Sequence, residues 1–331
     1  MLSIIVPVHN QFGHNQLFLE GIRRYTTGPY EIIVIDNHST DGSADFFEAR
    51  GCQVIRNPVN LCYPESMNLG IRQAKGDHLC LINNDLYVGP NWNGALVEVM
   101  EEEKWDVVSP LGMEKMPTPT LTAWMHKRWN TIGRGRLSSH RPSEVLRAMI
   151  RWMYGDWEQF CEEVRTAFRS TRLDGVYGPC LIVKRSVFEK LGLLDERIQA
   201  SDWDFYLHLR KREAEVGDVR RGKIVGAAYV HHYMRATMKG KPEPFACRHP
   251  RLSIDEKWTR EELRTFWHQP EDIPGPGPLP PQGLDTQVKK LIEKIQTQVS
   301  RLVAWRWGLV GSERILELYR ERFRTALISS G

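Results

Sequence analysis

Four short polar clusters, each beside an apolar run, carry the residue types that phosphate, sugar and proton chemistry need. Asp36 closes the run EIIVIDN, and Asp41 follows five residues later inside Ser-Thr-Asp-Gly-Ser. A carboxylate at the end of a buried strand can accept hydrogen bonds from a base N–H or from ribose hydroxyls. In a Ser/Thr/Gly cluster it serves equally well as a turn cap. Asn83, Asn84 and Asp85 follow HLCLI. One acid beside two amides suits a hard divalent cation that bridges diphosphate oxygens, although Asn and Asp are also common at loop starts. Ser201-Asp202-Trp203-Asp204 precedes a helical run. Two acids at i and i+2 there either cap the helix or supply a general base toward a hydroxyl. His231 and His232 end an apolar strand, where neighbouring side chains point to opposite faces, so at most one of them shares a site with the others.

The elements that must position these clusters alternate. LSIIVPV (2–8), EIIVIDN (31–37), QVIR (53–56) and HLCLIN (78–83) read as strands, the longer ones apolar enough to be buried on both faces. Helices are expected over 15–25, through Phe46 and Phe47, and over 64–75. This alternation indicates a doubly wound α/β sheet, in which ligands bind beyond the carboxyl ends of the strands. The polar clusters gather at those ends. The alternation breaks at 115–173, where a helix is expected over 143–168 and where 126–172 holds ten Lys or Arg against five acids. It returns with a strand and helix over 178–192, a helix over 204–213 and a strand over 223–232. PGPGPLPPQG (274–283) reads as a linker. Beyond it Val288, Leu291, Ile292, Ile295, Val299 and Leu302 repeat at helical spacing, as do Ile315, Leu318, Tyr319 and Phe323.

The 331-residue chain carries a formal charge of +4, too little to argue for nucleic acid. Six cysteines without a CxxC pair argue against a zinc site or disulfide scaffold and fit a reducing compartment. The first residues lack the basic and apolar regions of a secretory signal, and no run approaches the ~20 apolar residues of a membrane span. The expectation is a cytoplasmic protein. No GxGxxG follows the first strand, which weakens a dinucleotide-binding reading.

Read in order, SIIVPVHN, EIIVIDNHSTDGS, NPVNLCYPESMNLGIRQAKGDHLCLINND, DGVYGPCLIVKRSVFEKLGLLDERI, SDWDF and YVHH resemble family 2 glycosyltransferases. The resemblance covers about residues 2–111 and 173–238, in the family's order and spacing. It implies an α/β, A-type glycosyltransferase fold: a Rossmann-like, mostly parallel sheet flanked by helices, here with a helical insert and C-terminal helices. It also implies inverting transfer from a nucleotide-diphosphate sugar. The corresponding organisation is a glycosyltransferase domain over 1–240 (nucleotide-sugar half 1–111, insert 112–173, acceptor and catalytic half 174–240), an extended linker over 241–283 and amphipathic helices over 284–331.

By that resemblance Pro7, Val8 and Asn10 line the base and ribose pocket, and Asp36 binds the base or ribose, with Asp41 beside it. Asn68 and Asn84 lie near the nucleotide, and Gly178 and the residues around Asp174 flank donor sugar and acceptor. Asp85 matches the last acid of the family's metal triplet, and His231 or His232 completes an Mn²⁺ or Mg²⁺ site. Asp202 matches the catalytic base, with Asp204 as the other candidate. Two departures stand out: the triplet is Asn-Asn-Asp, with one carboxylate, and Ser201 replaces the family's Glu before the base. The processive members' Gln-x-x-Arg-Trp motif is absent, because Met125, Ala148 and Val303 precede the three Arg-Trp pairs. One sugar per encounter is the expectation.

In the insert, Trp124, Trp129, Trp152 and Trp157 are candidates to stack on an acceptor and Arg134, Arg136 and Arg141 to meet phosphates. The competing reading is a packed helical lid. The acceptor is expected to be a glycan, a lipid-linked glycan or a protein. UDP is the expected nucleotide, with dTDP-rhamnose or a GDP-sugar as alternatives. The basic C-terminal helices suggest peripheral contact with an anionic membrane or a homodimer. A sugar-phosphate nucleotidyltransferase is disfavoured by the lack of a glycine-rich basic loop near the first strand. A non-catalytic binding module would tolerate loss of Asp202.

Overall fold

The computed structural model describes residues 1–133, 141–234 and 244–267. Among these residues nine strands form one sheet: β1 (Leu2–Val8), β2 (Tyr30–Asn37), β3 (Gln53–Asn57), β4 (His78–Ile82), β5 (Leu86–Val88), β6 (Val107–Gly112), β7 (Arg172–Asp174), β8 (Cys180–Lys184) and β9 (Lys223–His232). Their order is β3-β2-β1-β4-β8-β6-β9-β5, with β7 also on β9. β1 runs parallel to β2 and β4, β2 to β3, and β6 to β9. β8 is antiparallel to β4 and β6, and β5 and β7 are antiparallel to β9. Followed through these ladders, β1 to β4, β6 and β9 point one way and only β5, β7 and β8 the other. The sheet is therefore mostly parallel, as expected, and the carboxyl ends of six strands open on one edge.

Alternation along the strands builds two cores. Ile4, Val6, Val8, Val34, Cys80 and Ile82 face one layer with α1 (Phe12–Tyr25), α4 (Trp92–Glu102), α5 (Pro119–Gly133), α6 (Ser143–Tyr154) and α7 (Trp157–Phe168). Ile5, Ile33, Ile35, Leu79 and Leu81 face the other, with α3 (Tyr63–Gln73), α8 (Arg185–Leu191) and α9 (Ser201–Glu215). The short α2 (Ser43–Glu48) packs beside β3. Both faces of the central strands are covered, which is why they read as continuous apolar runs.

Several expectations are corrected. The single helix over 143–168 is two, because Gly155 adopts φ +75° after α6 and Asp156 caps α7 through the Gln159 N–H at 2.8 Å. The helix expected from 204 begins at Ser201, so Asp202 and Asp204 lie in its first turn. Within the span expected as linker from 241, α10 (Ile254–Lys257) and α11 (Arg260–Phe266) each begin with a full capping box, Ser253 with Glu256 and Thr259 with Glu262. Trp129 and Trp157 are buried in the insert's core, and the Trp157 indole N–H donates to the Val88 carbonyl at 3.1 Å. The packed-lid reading holds for these two. Arg134, Arg136, the PGPGPLPPQG segment and the helices expected over 284–331 lie outside the described residues. Among the described residues no helix is long and apolar enough to cross a membrane.

Candidate functional site

Val8 and Asp36 are register partners, so the loops after β1 and β2 leave the sheet side by side. Asn10 joins them. Its N–H donates to Ser39 Oγ and its Oδ1 accepts from the Thr40 N–H, both at 2.8 Å, with a left-handed φ of 55° that Asn tolerates. Asp36 is 3% exposed; Oδ2 accepts from the Ser39 N–H at 3.3 Å and Oδ1 has no partner. A buried carboxylate oxygen without a donor is costly until a ligand N–H or O–H arrives. Pro7 is half-buried and Val8 buried, paired with Ile35 and Asp36 in the β1–β2 ladder.

Asp41 Oδ2 accepts from the Phe12 N–H at 2.9 Å and its Oδ1 from the Ser43 N–H at 3.1 Å, so both oxygens cap the starts of helices. Asn84 donates to Asn15 Oδ1 at 2.7 Å, and Asn15 donates to the Asn10 carbonyl and to Ser43 Oγ at 2.9 and 2.8 Å. The Asn84 amide nitrogen thus ties the loop after β4 to the loop after β1. Asn68 donates to the Leu194 carbonyl and Glu196 Oε1 and accepts from the Leu194 N–H, at 2.9 to 3.0 Å. It anchors the loop leading to α9. Asp174 pairs with Lys223 and Arg221 across β7 and β9.

The second group lies where β5 meets the end of β9, with Leu86 opposite His232. His232 Nε2 is 3.2 Å from Asp85 Oδ1, and its Nδ1 is 2.8 Å from Glu114 Oε1. The Tyr177 hydroxyl donates to the other Glu114 oxygen. Burial alone would lower the His232 pKa, but the charges of Asp85 and Glu114 outweigh it and hold the ring well above its ordinary value. Burial pushes the Asp85 carboxyl up, and the charge and hydrogen bond of His232 more than reverse this. His231 points the other way, as strand alternation requires. It is fully buried against Trp129 and Tyr233, its Nδ1 2.7 Å from the Tyr154 hydroxyl. Of the two histidines expected as metal candidates, only His232 faces Asp85.

Asp85 and His232 fit a divalent cation. Two adjacent ligands of an octahedral ion at about 2.1 Å sit about 3 Å apart, close to the observed separation. Glu114 would then hold the outer ring nitrogen, the usual carboxylate support of a metal-binding His. Among the described residues no three His, Cys, Asp or Glu side chains converge as a cage. A cation here would need oxygens from a ligand, as phosphate-bridging ions do.

The third group is Asp202. It is half-buried in the first turn of α9, its hydrogen bonds come from backbone amides of that turn, and burial raises its carboxyl above the ordinary value. A Cβ on Gly178 would stand 2.0 Å from Asp202 Oδ2, so the bare backbone there is what admits the carboxylate. The carbonyl of Pro179, the next residue, accepts from the Asn83 N–H at 3.0 Å, which ties the Gly178 turn against Asp202 to the loop that carries Asp85. Lys115, half-buried, feels both Glu114 and Asp202, and burial lowers its pKa. Asp204 is 3% exposed and turned away, with Lys257 and Trp258 on its two oxygens. Replacing Gly178 by Ala is expected to keep the fold, since its backbone is not left-handed, and to lower kcat on the order of 100-fold by displacing Asp202. Steady-state kinetics beside a thermal melt check this.

Sequence reasoning missed Glu114, Lys115 and Tyr177. Glu114 and Lys115 follow the run VVSPLG, the same strand-end signal that singled out Asp36 and Asp85. His14 was missed as well. It is 1% exposed with no hydrogen-bond partner on either ring nitrogen, and burial pushes it down to about 4.

The family model for glycosyl transferase family 2 matches residues 3–192. An uncharacterized glycosyltransferase of Haemophilus influenzae is 32% identical over 31% of this chain and 35% of its own length. Glycosyltransferase GlyG of Streptococcus pneumoniae is 30% identical over 33% and 38%. The chain thus covers little more than a third of those two relatives. An N-acetylglucosaminyl-diphospho-decaprenol L-rhamnosyltransferase of Mycobacterium tuberculosis is 23% identical over 80% of this chain and 88% of its own. Among solved structures, a Pyrobaculum calidifontis mannosyltransferase in complex with GDP-Man and Mn²⁺ aligns with a TM-score of 0.46 at 15% identity, over 70% of this chain and 56% of the other. The family match spans more than half of the chain, and the chain belongs to glycosyl transferase family 2.

Proposed function

We propose that the protein is an inverting glycosyltransferase that moves one sugar from a nucleotide-diphosphate sugar to an acceptor hydroxyl in cell-surface glycan synthesis. The observation that carries this is the placement of Asp202: a carboxylate of raised pKa, fitted against a glycine, beside the strand end that holds Asp85 and His232. The nucleotide's base or ribose donates to Asp36 Oδ1, in the notch between the first two loops. Asp85 and His232 are the residues that would hold a divalent cation, which would supply positive charge to offset the departing diphosphate. Asp202 accepts the proton of the acceptor hydroxyl as its oxygen attacks the anomeric carbon from the face opposite the diphosphate. Lys115 sits where it can balance the negative charge near the base. The Mycobacterium rhamnosyltransferase, whose named acceptor is lipid-linked, supports a glycan or lipid-linked acceptor here, reached by peripheral membrane contact from the cytoplasmic side. UDP-, dTDP- and GDP-sugars are the donor candidates.

Asp36 supplies the simplest separate test. Its replacement by Ala removes a charged hydrogen-bond acceptor worth ~1.5–3 kcal/mol, so the donor Kd should rise roughly 10- to 100-fold with the acceptor KM unchanged. Titration calorimetry with the free nucleoside diphosphate reads the effect. An unchanged Kd would remove Asp36 from the nucleotide site.

A further inference from the structure

The residues that hold the catalytic turn in place come from a segment beyond the family-matched span. Asp204, two residues after Asp202, accepts from Lys257 Nζ at 2.7 Å and from the Trp258 indole N–H at 2.7 Å. Lys257 also meets Asp195 Oδ2 at 2.9 Å, so one half-buried ammonium bridges two carboxylates, one before the turn and one within it. Asp195 is further gripped by Arg197 at 2.8 Å. The Leu252 N–H donates to the Arg197 carbonyl at 2.9 Å, where Ile198 and Leu252 form a parallel bridge. Trp203, next to the base, stacks on Trp267 with ring centroids 4.6 Å apart and planes 6° from parallel. Upstream in the same segment, the Ala246 N–H donates to the Asn60 carbonyl at 2.8 Å and the Arg248 N–H to Glu65 Oε1 at 2.9 Å. Residues 244–267 therefore run from the start of α3 to the first turn of α9.

We propose that this segment is a clamp completing the catalytic site, and that Lys257 and Trp258 are positioning residues that set the Asp202 carboxylate through Asp204. A turn fixed by two bonds to one buried carboxylate has little freedom to swing the residue two places before it. Loss of either bond lets the first turn of α9 relax and shifts the base from its attack position, an error to which turnover is steeply sensitive. The donor side, held by the loops after β1 and β2, is untouched. The proposal rests on Asp202 being the base.

The test compares Lys257→Met, Lys257→Arg and Trp258→Phe with Lys211→Ala, in the full chain. Lys211 pairs with Glu262 of the same segment at 2.7 Å but makes no bond to Asp204. Lys257→Met is expected to lower kcat about 10- to 100-fold with donor and acceptor KM within about twofold, and Lys257→Arg to recover most of the loss. Trp258→Phe removes the N–H together with one of the two fused rings of this buried indole, so its kcat is read beside a thermal melt; a several-fold fall in kcat is expected, and it reaches the Asp204 bond independently if Lys257→Met folds poorly. Lys211→Ala should keep kcat. Equal kcat in all four folded variants, or losses in Lys211→Ala matching those in Lys257→Met, would overturn the clamp. Asp202→Asn, run alongside, separates the two claims: full turnover there would remove the base assignment whatever the Lys257 variants do.

Discussion

Replacing Asp202 by Asn is expected to abolish transfer while making the fold more stable at neutral pH. The loss follows from the proton inventory. Asn cannot accept the hydroxyl proton, and removal of a positioned general base typically costs 10²- to 10⁴-fold. The gain follows from linkage. Burial raises the Asp202 pKa in the folded state above its unfolded value. Between those two values the native state binds more protons than the unfolded one, so stability falls as pH rises through the window. At neutral pH the whole cost is present, and a neutral amide of the same shape removes it. Thermal melts of wild type and variant across pH 3 to 8 should converge at the acid end and separate above it, in the variant's favour. A variant that is inactive and less stable at every pH would mean that Asp202 serves the fold rather than the reaction.

The second large effect belongs to His232. Its ring separates two carboxylates, Asp85 and Glu114, that have no other cation in direct contact among the described ion pairs. His232→Ala leaves both facing each other in a poorly hydrated site. Removing one partner of a buried pair costs about 3–5 kcal/mol, and a loss of that order is expected in urea unfolding. Activity should fall on the order of 100-fold as well, because the proposed cation loses its nitrogen ligand and its Glu114 support. The two effects are separable. Mn²⁺ should raise the unfolding midpoint of the wild type by mass action and leave that of His232→Ala unchanged, and chelation should abolish wild-type turnover. An equal response to Mn²⁺ in both proteins would remove His232 from the metal site.

The parts of this architecture legible in the sequence are those where one local pattern decides. β1, β2, β4 and β9 are largely apolar runs because both faces of the sheet are covered; β2 and β9 end in polar residues, Asp36-Asn37 and His231-His232, and Asn10 and Asp85 follow within three residues of the ends of β1 and β4. β5 is three residues long, and its pairing with β9 is a long-range event that no local pattern encodes. Yet that pairing is what turns His232 toward Asp85 and His231 away. Asp36 and Asp41 look alike on paper, both acids in a polar turn; only the structure separates the one with an unpartnered oxygen from the one whose oxygens cap two helices. Asp204 was similarly ambiguous, because Lys257 and Trp258 are more than fifty residues away in sequence. Glu114 was legible and overlooked, an acid just beyond a buried strand.

The central claim is that the strand-end site binds and cleaves a nucleotide-diphosphate sugar. The measurement that meets it most directly is release of nucleoside diphosphate from UDP-, dTDP- and GDP-sugars by the purified full chain, with Mn²⁺ and with chelator, beside Asp202→Asn. Metal-dependent release from one nucleotide class is expected, lost in the variant while nucleotide binding persists. A folded wild-type protein that neither binds nor cleaves any of these donors would contradict it and leave a binding module built on a glycosyltransferase frame.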